Sequence, residues 1–157
     1  RGDVLVHVPA DRVVFTGDIL FVGGHPAVWA GPVSNWIDAC DRILGWDVET
    51  VVPGHGPITD KRGVQALKDY LVFLKAESRK RFDAGMTADE AVADISFDEF
   101  RGWVDPERVV VNVHCLYHEF KGIKDAPDLF EMSAKMLHYR NKLKACGAGK
   151  CGEDHHH

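Results

Sequence analysis

Asp18 and His55 are the side chains whose type and setting best suit chemistry. Each closes a short, largely β-branched run that stops at a glycine, in Phe15-Thr16-Gly17-Asp18 and in Val51-Val52-Pro53-Gly54-His55. The pattern predicts a side chain delivered at the carboxyl end of a buried strand, which is where open α/β folds assemble their sites. A carboxylate and a neutral imidazole brought together suit zinc, and a bridging carboxylate suits a two-metal site. Taken singly, each stretch reads equally well as a turn, because Gly, Asp and Pro punctuate loops for local reasons.

The elements needed to position the pair are visible around it. Val4 to Val8 and Arg12 to Thr16 flank the Pro9-Ala10-Asp11 turn and predict a β-hairpin. After a glycine-rich connection from Val22 to Gly31, apolar residues from Val33 to Leu44 recur at three- and four-residue spacing, which predicts a helix packed on the sheet. Glu49 to Val52 then gives a strand aimed at His55. A strand–helix–strand unit brings both strand ends to one sheet edge. Beyond residue 60 the chain predicts helices: a long one over Asp60 to Ala84 ended by Gly85, a short one opened by the capping box Thr87-Ala88-Asp89-Glu90, and one over Glu107 to Lys121 capped by Asp105. A last helix over 126–144 places Leu129, Met132, Met136 and Leu143 on one side.

Other chemistry-bearing residues have plainer readings. His7 sits on an alternating strand and is expected to face out or meet a neighbour. His114 and His118 share a helix face at four-residue spacing, which can chelate a metal, but a structural role is the simpler expectation. Cys40 and Cys115 fall on apolar helix faces and read as buried thiols. Cys146 and Cys151 flank a glycine-containing loop that reads as a tail, or as one that closes a disulfide or holds a metal with a nearby histidine. His155 to His157 look like the remnant of a purification tag.

Together, Thr16-Gly17-Asp18-Ile19-Leu20-Phe21 and Pro53-Gly54-His55-Gly56 resemble the later part of the metallo-β-lactamase superfamily fold. In that family the first stretch supplies an aspartate that bridges two metals and the second supplies the last histidine. The resemblance covers residues 1 to about 122. It implies an α/β (α+β) fold, the second half of an αβ/βα sandwich, with additional carboxyl-terminal helices: 1–122 as the half-domain, 123–145 as a terminal helix and 146–157 as a flexible tail. It implies a hydrolase with two zinc ions, in which a hydroxide held by the metals attacks an ester, thioester, lactone, amide or phosphate centre. Asp18 would bridge the ions and His55 would complete the second site. His25 and Trp29, in the loop that borders the family's metal cleft, would contact a small-molecule substrate. Two alternatives stay open: an iron enzyme of the same superfamily with sulfur or oxygen redox chemistry, and a non-catalytic half-domain that self-associates.

The family's His-x-His-x-Asp-His signature is absent from this sequence, and so is the histidine of its third metal motif. Two ligands are fewer than the three normal for catalytic zinc. The expectation is therefore a carboxyl-terminal portion whose sheet leaves an apolar face for an amino-terminal half or for another copy. A formal net charge of −5 with dispersed basic residues argues against nucleic acid as a partner. No apolar run approaches the roughly 20 residues that cross a bilayer, so no membrane partner is expected, and a cytoplasmic location is the default.

Overall fold

Val6–Val8 (β1) and Val13–Phe21 (β2) form the expected hairpin, joined by one 3-10 turn over Pro9–Asp11. In this computed structural model, which describes residues 3–29 and 31–147, β2 also pairs in parallel with Thr50–His55 (β3). The sheet order is β1-β2-β3. Val33–Gly45 (α1) makes the crossover between β2 and β3. Lys61–Asp83 (α2), Ala88–Asp94 (α3), Val109–Lys121 (α4) and Leu129–Gly147 (α5) follow. The architecture is mixed α/β, with three strands and five α-helices among the described residues. Ala148 onward, including Cys151 and the terminal histidines, and the Cys146 side chain lie outside the described residues.

The boundaries follow local chemistry. Pro32 stands at the α1 N-cap in extended conformation, where its missing N–H costs no helix bond. The Asp60 side chain accepts from the Arg62 amide at 2.8 Å and opens α2, while Gly85 leaves the helix at φ +80. Thr87 and Glu90 form both arms of the capping box of α3. Asp105 departs from expectation: it makes no cap bond, adopts φ +56 and pairs instead with Arg108.

One sheet face is packed and the other is bare. Val14 and Val51 point into the core with Ile43 of α1, Leu67, Leu71 and Leu74 of α2 and Leu116 of α4. On the other face Val6 stands opposite Phe15, and Phe15 opposite Val52, so three apolar side chains form a row across the strands. Val6 is 52% and Phe15 46% exposed. Among the described side chains, α5 joins the core through Met132, Met136 and Tyr139, while Leu129 and Leu143 stay exposed.

Candidate metal centre

β2 does not end at Gly17, as the sequence pattern suggested, but runs on to Phe21 through a local irregularity. Gly17 faces Pro53 and Phe21 faces His55, so β2 spends three residues, Asp18 to Leu20, where β3 spends one. Gly17 sits at φ +53, a conformation open to glycine at little cost. Such a bulge re-aims side chains. Here it breaks the in–out alternation after Thr16, leaving Asp18 exposed while Ile19 to Phe21 are buried.

The result is a direct meeting of the two expected residues. His55 Nε2 lies 3.0 Å from Asp18 Oδ1, across a sequence separation of 37. Both side chains reach solvent, at 48% for His55 and 69% for Asp18. The Thr16 hydroxyl donates to the Val52 carbonyl at 3.3 Å just below them, and the Val22 amide donates to the His55 carbonyl at 2.9 Å. The imidazole lies flat on the Phe21 ring, 4.2 Å between centroids and 7° between planes.

Around the pair opens a cleft of about 340 Å3, walled by Phe21, Ala27, Trp29, Trp36 and Arg108, with Asp3 at its edge. α4 holds the Trp29 loop in place. Asn112 donates from Nδ2 to the Pro26 carbonyl at 2.8 Å and accepts from the Val28 amide at 2.9 Å, while the Cys115 thiol donates to the Val28 carbonyl at 2.8 Å. Burial pushes that thiol up to about 12 and does the same for Cys40, so both are protonated packing groups.

Trp29 is on the cleft wall and is 38% exposed. His25 is not on that wall, and the expectation that it lines the cleft is corrected. It is 1% exposed, sealed among Tyr70, Phe97 and Trp103, with Nδ1 3.0 Å from the Tyr70 hydroxyl. Its backbone explains the burial: the His25 amide donates to the Val104 carbonyl at 3.0 Å, folding the glycine loop under the segment before α4. Desolvation lowers its pKa to about 4, against a smaller opposing pull from Glu107, so the ring is neutral.

His7 stacks on Trp46 at 4.6 Å. His114 pairs with Asp89 at 2.9 Å, and His118 donates from Nδ1 to the Asp125 carbonyl at 2.8 Å. The two helical histidines thus take separate partners. Arg108 and Trp36 are cleft residues that the sequence did not flag. Trp36 carried only a helix-periodicity signal, and Arg108 carried none, because it meets the cleft through long-range packing.

An oxygen and a nitrogen donor 3.0 Å apart, both solvent-accessible, fit as two members of a zinc or iron ligand set. They do not complete one: no group of three His, Cys, Asp or Glu side chains converges to hold an ion among the described residues.

Residues 1–55 match the family model described as the metallo-beta-lactamase superfamily. A solved structure of the stereoselective inverting sec-alkylsulfatase Pisa1 from Pseudomonas sp. superposes with a TM-score of 0.58 at 17% identity, covering 75% of this chain and 22% of that one. The chain shares part of the fold of that structure. A double mutant of the sec-alkyl sulfatase PisA1 also has a TM-score of 0.58, at 16% identity over 93% of this chain and 28% of that one. The chain thus spans about a quarter of the length of the solved metallo-β-lactamase-fold structures that it matches. A search of the curated proteins found no match. Among the described residues, no helix is long and apolar enough to cross a membrane.

Proposed function

We propose that the protein is a metal-dependent hydrolase in which Asp18 and His55 would supply two of the ligands of a dinuclear zinc site. The observation that carries this reading is the 3.0 Å approach of His55 Nε2 to Asp18 Oδ1 at the end of a parallel strand pair, reached through the bulge in β2. Zinc ions bound there would lower the pKa of water and polarise the substrate oxygen. Asp18 and His55 would commit their lone pairs to metal and so would not act as general bases. Phe21 fixes the imidazole plane by stacking, and Trp29 and Trp36 give the cleft apolar walls that hold the organic part of a substrate and limit water. The substrate is a small ester, thioester, lactone, amide or phosphate. The likeness to the sec-alkylsulfatase structures adds sulfate esters to these classes.

Two ligands are too few for a working centre. The remaining donors come from polypeptide outside these residues, and the bare row of Val6, Phe15 and Val52 is where that amino-terminal half, or a second copy of the chain, packs.

Elemental analysis of the full-length protein tests the metal reading. Two equivalents of zinc are expected, falling toward one in His55→Ala, with turnover reduced by more than the roughly 10–100-fold that losing an outer-shell partner costs. Stoichiometric iron would move the protein to the redox branch. Unchanged metal content and activity in His55→Ala would reduce Gly54-His55-Gly56 to a turn.

A further inference from the structure

We infer that Arg108 is the anion-binding residue of this cleft, and that the substrate carries an anionic oxygen group beside an apolar body. The inference rests on the proposed function, since it concerns the same cleft, and it names the class of substrate that this chain's own residues select.

Among the described residues, Arg108 is the one lysine or arginine on the cleft wall, facing a lining otherwise made of aromatic, alanine, histidine and aspartate side chains. Its guanidinium is held from three sides. Nη1 donates to the His25 carbonyl at 3.1 Å, Nη2 pairs with Asp105 Oδ2 at 3.0 Å, and Cζ stands 5.6 Å from the centre of the Phe21 ring. Phe21 in turn stacks on His55, so the cation is fixed one aromatic ring away from the candidate metal ligand.

A guanidinium has five N–H donors in a planar fork, and these two partners leave donors to spare. That fork matches carboxylate, sulfate and phosphate oxygens, which lysine does not match in the same way. Side-chain exposure of 27% places the group between bulk water and the core, where a charge-assisted hydrogen bond is weakened less by solvent. Asp105, the residue that clamps the fork, is held at φ +56, a conformation uncommon for a residue other than glycine. Strain of this kind collects at sites that need a fixed geometry. With Trp29 and Trp36 facing the same space, the cleft offers a cation for one end of a ligand and aromatic surface for the rest.

Calorimetric titration of the full-length protein tests this, with hexanoate, hexyl sulfate, hexyl phosphate and 1-hexanol as probes of common chain length. The titration is run on chelator-treated and metal-loaded protein in parallel. At least one anion should bind more tightly than hexanol in both preparations, and the ranking of the three identifies the head group. Arg108→Gln should weaken that anion about 10- to 100-fold, the loss expected for a charge-assisted hydrogen bond. Hexanol binding and metal content should not change. Arg108→Lys, which keeps the charge and the stem that packs on Phe21, should recover part of the loss and decides the matter if the glutamine variant does not fold. Anions that bind no better than hexanol, or a loss under two-fold in both variants, would overturn the inference. Wild-type protein that takes up no metal would instead sink the hydrolase reading, with the chelated arm still reporting on Arg108.

Discussion

Gly54→Ala probes how Asp18 and His55 come to meet without touching either. A Cβ at position 54 would stand 2.5 Å from the Gly17 carbonyl oxygen, 2.6 Å from its carbon and 3.0 Å from the Asp18 nitrogen. All three are backbone atoms on the neighbouring strand, so no rotamer change relieves them. Restoring an ordinary contact of 3.4 Å needs β2 and β3 to part by about 0.9 Å at the bulge. Metal–ligand distances tolerate only about 0.2 Å, and overpacking of this kind typically costs about 1–3 kcal/mol. The expected result is a melting temperature lower by several degrees together with metal affinity at least about 10-fold weaker, although every ligand atom is still present. Differential scanning calorimetry and a zinc titration with a competing chelator give the two numbers on one preparation. Wild-type stability and wild-type affinity in Gly54→Ala would mean that the strands are not in this register, and the 3.0 Å approach would fall with it.

Two further outcomes can be measured. His25 is neutral and buried with a pKa near 4, against 6.5 when unfolded, so the unfolded chain binds the extra proton between these values. Stability should therefore fall as pH drops from about 6.5 to 4, by up to about 3 kcal/mol from this one group. Urea midpoints across that range should show a shallower slope in His25→Gln than in wild type, because His114 and the paired carboxylates Asp89, Glu107 and Glu119 still contribute; parallel slopes would remove His25 as a cause. Separately, the 157-residue chain on its own should associate or bind an apolar dye through the Val6, Phe15 and Val52 row, and Phe15→Lys should reduce both. Light scattering that gave a dye-silent 17.5 kDa monomer would show that the face needs no cover.

What could be read from the sequence was what local chemistry dictates. The helix over 33–45 follows from apolar periodicity, the start of α3 from Thr87 and Glu90, and the end of α2 from Gly85, and none of these depends on a distant partner. The pairing of Asp18 with His55 was legible because both motifs sit on adjacent strands joined by one crossover. The continuation of β2 past Gly17 was not legible: a glycine after a β-branched run looks the same whether it ends a strand or bulges it, and only the register with Pro53 and His55 decides. His25 and Arg108 were opaque for another reason. One is buried and the other brought to the cleft by the backbone bonds that tie residues 23 and 25 to Val104, and nothing near either residue encodes that docking.

The 37-residue separation between the two facing side chains has a thermodynamic side as well. In the unfolded chain Asp18 and His55 are distant and independent, so a species that grips both recognises the folded state alone. It works as a removable cross-link over that loop, and in a chain-entropy model a permanent link of this span is worth about 4 kcal/mol. The stability of the β2–α1–β3 unit would then follow the free concentration of whatever binds there, rising by about 1.4 kcal/mol for each ten-fold increase above its dissociation constant. Purification in the presence of a chelator would thus weaken the same unit that builds the cleft.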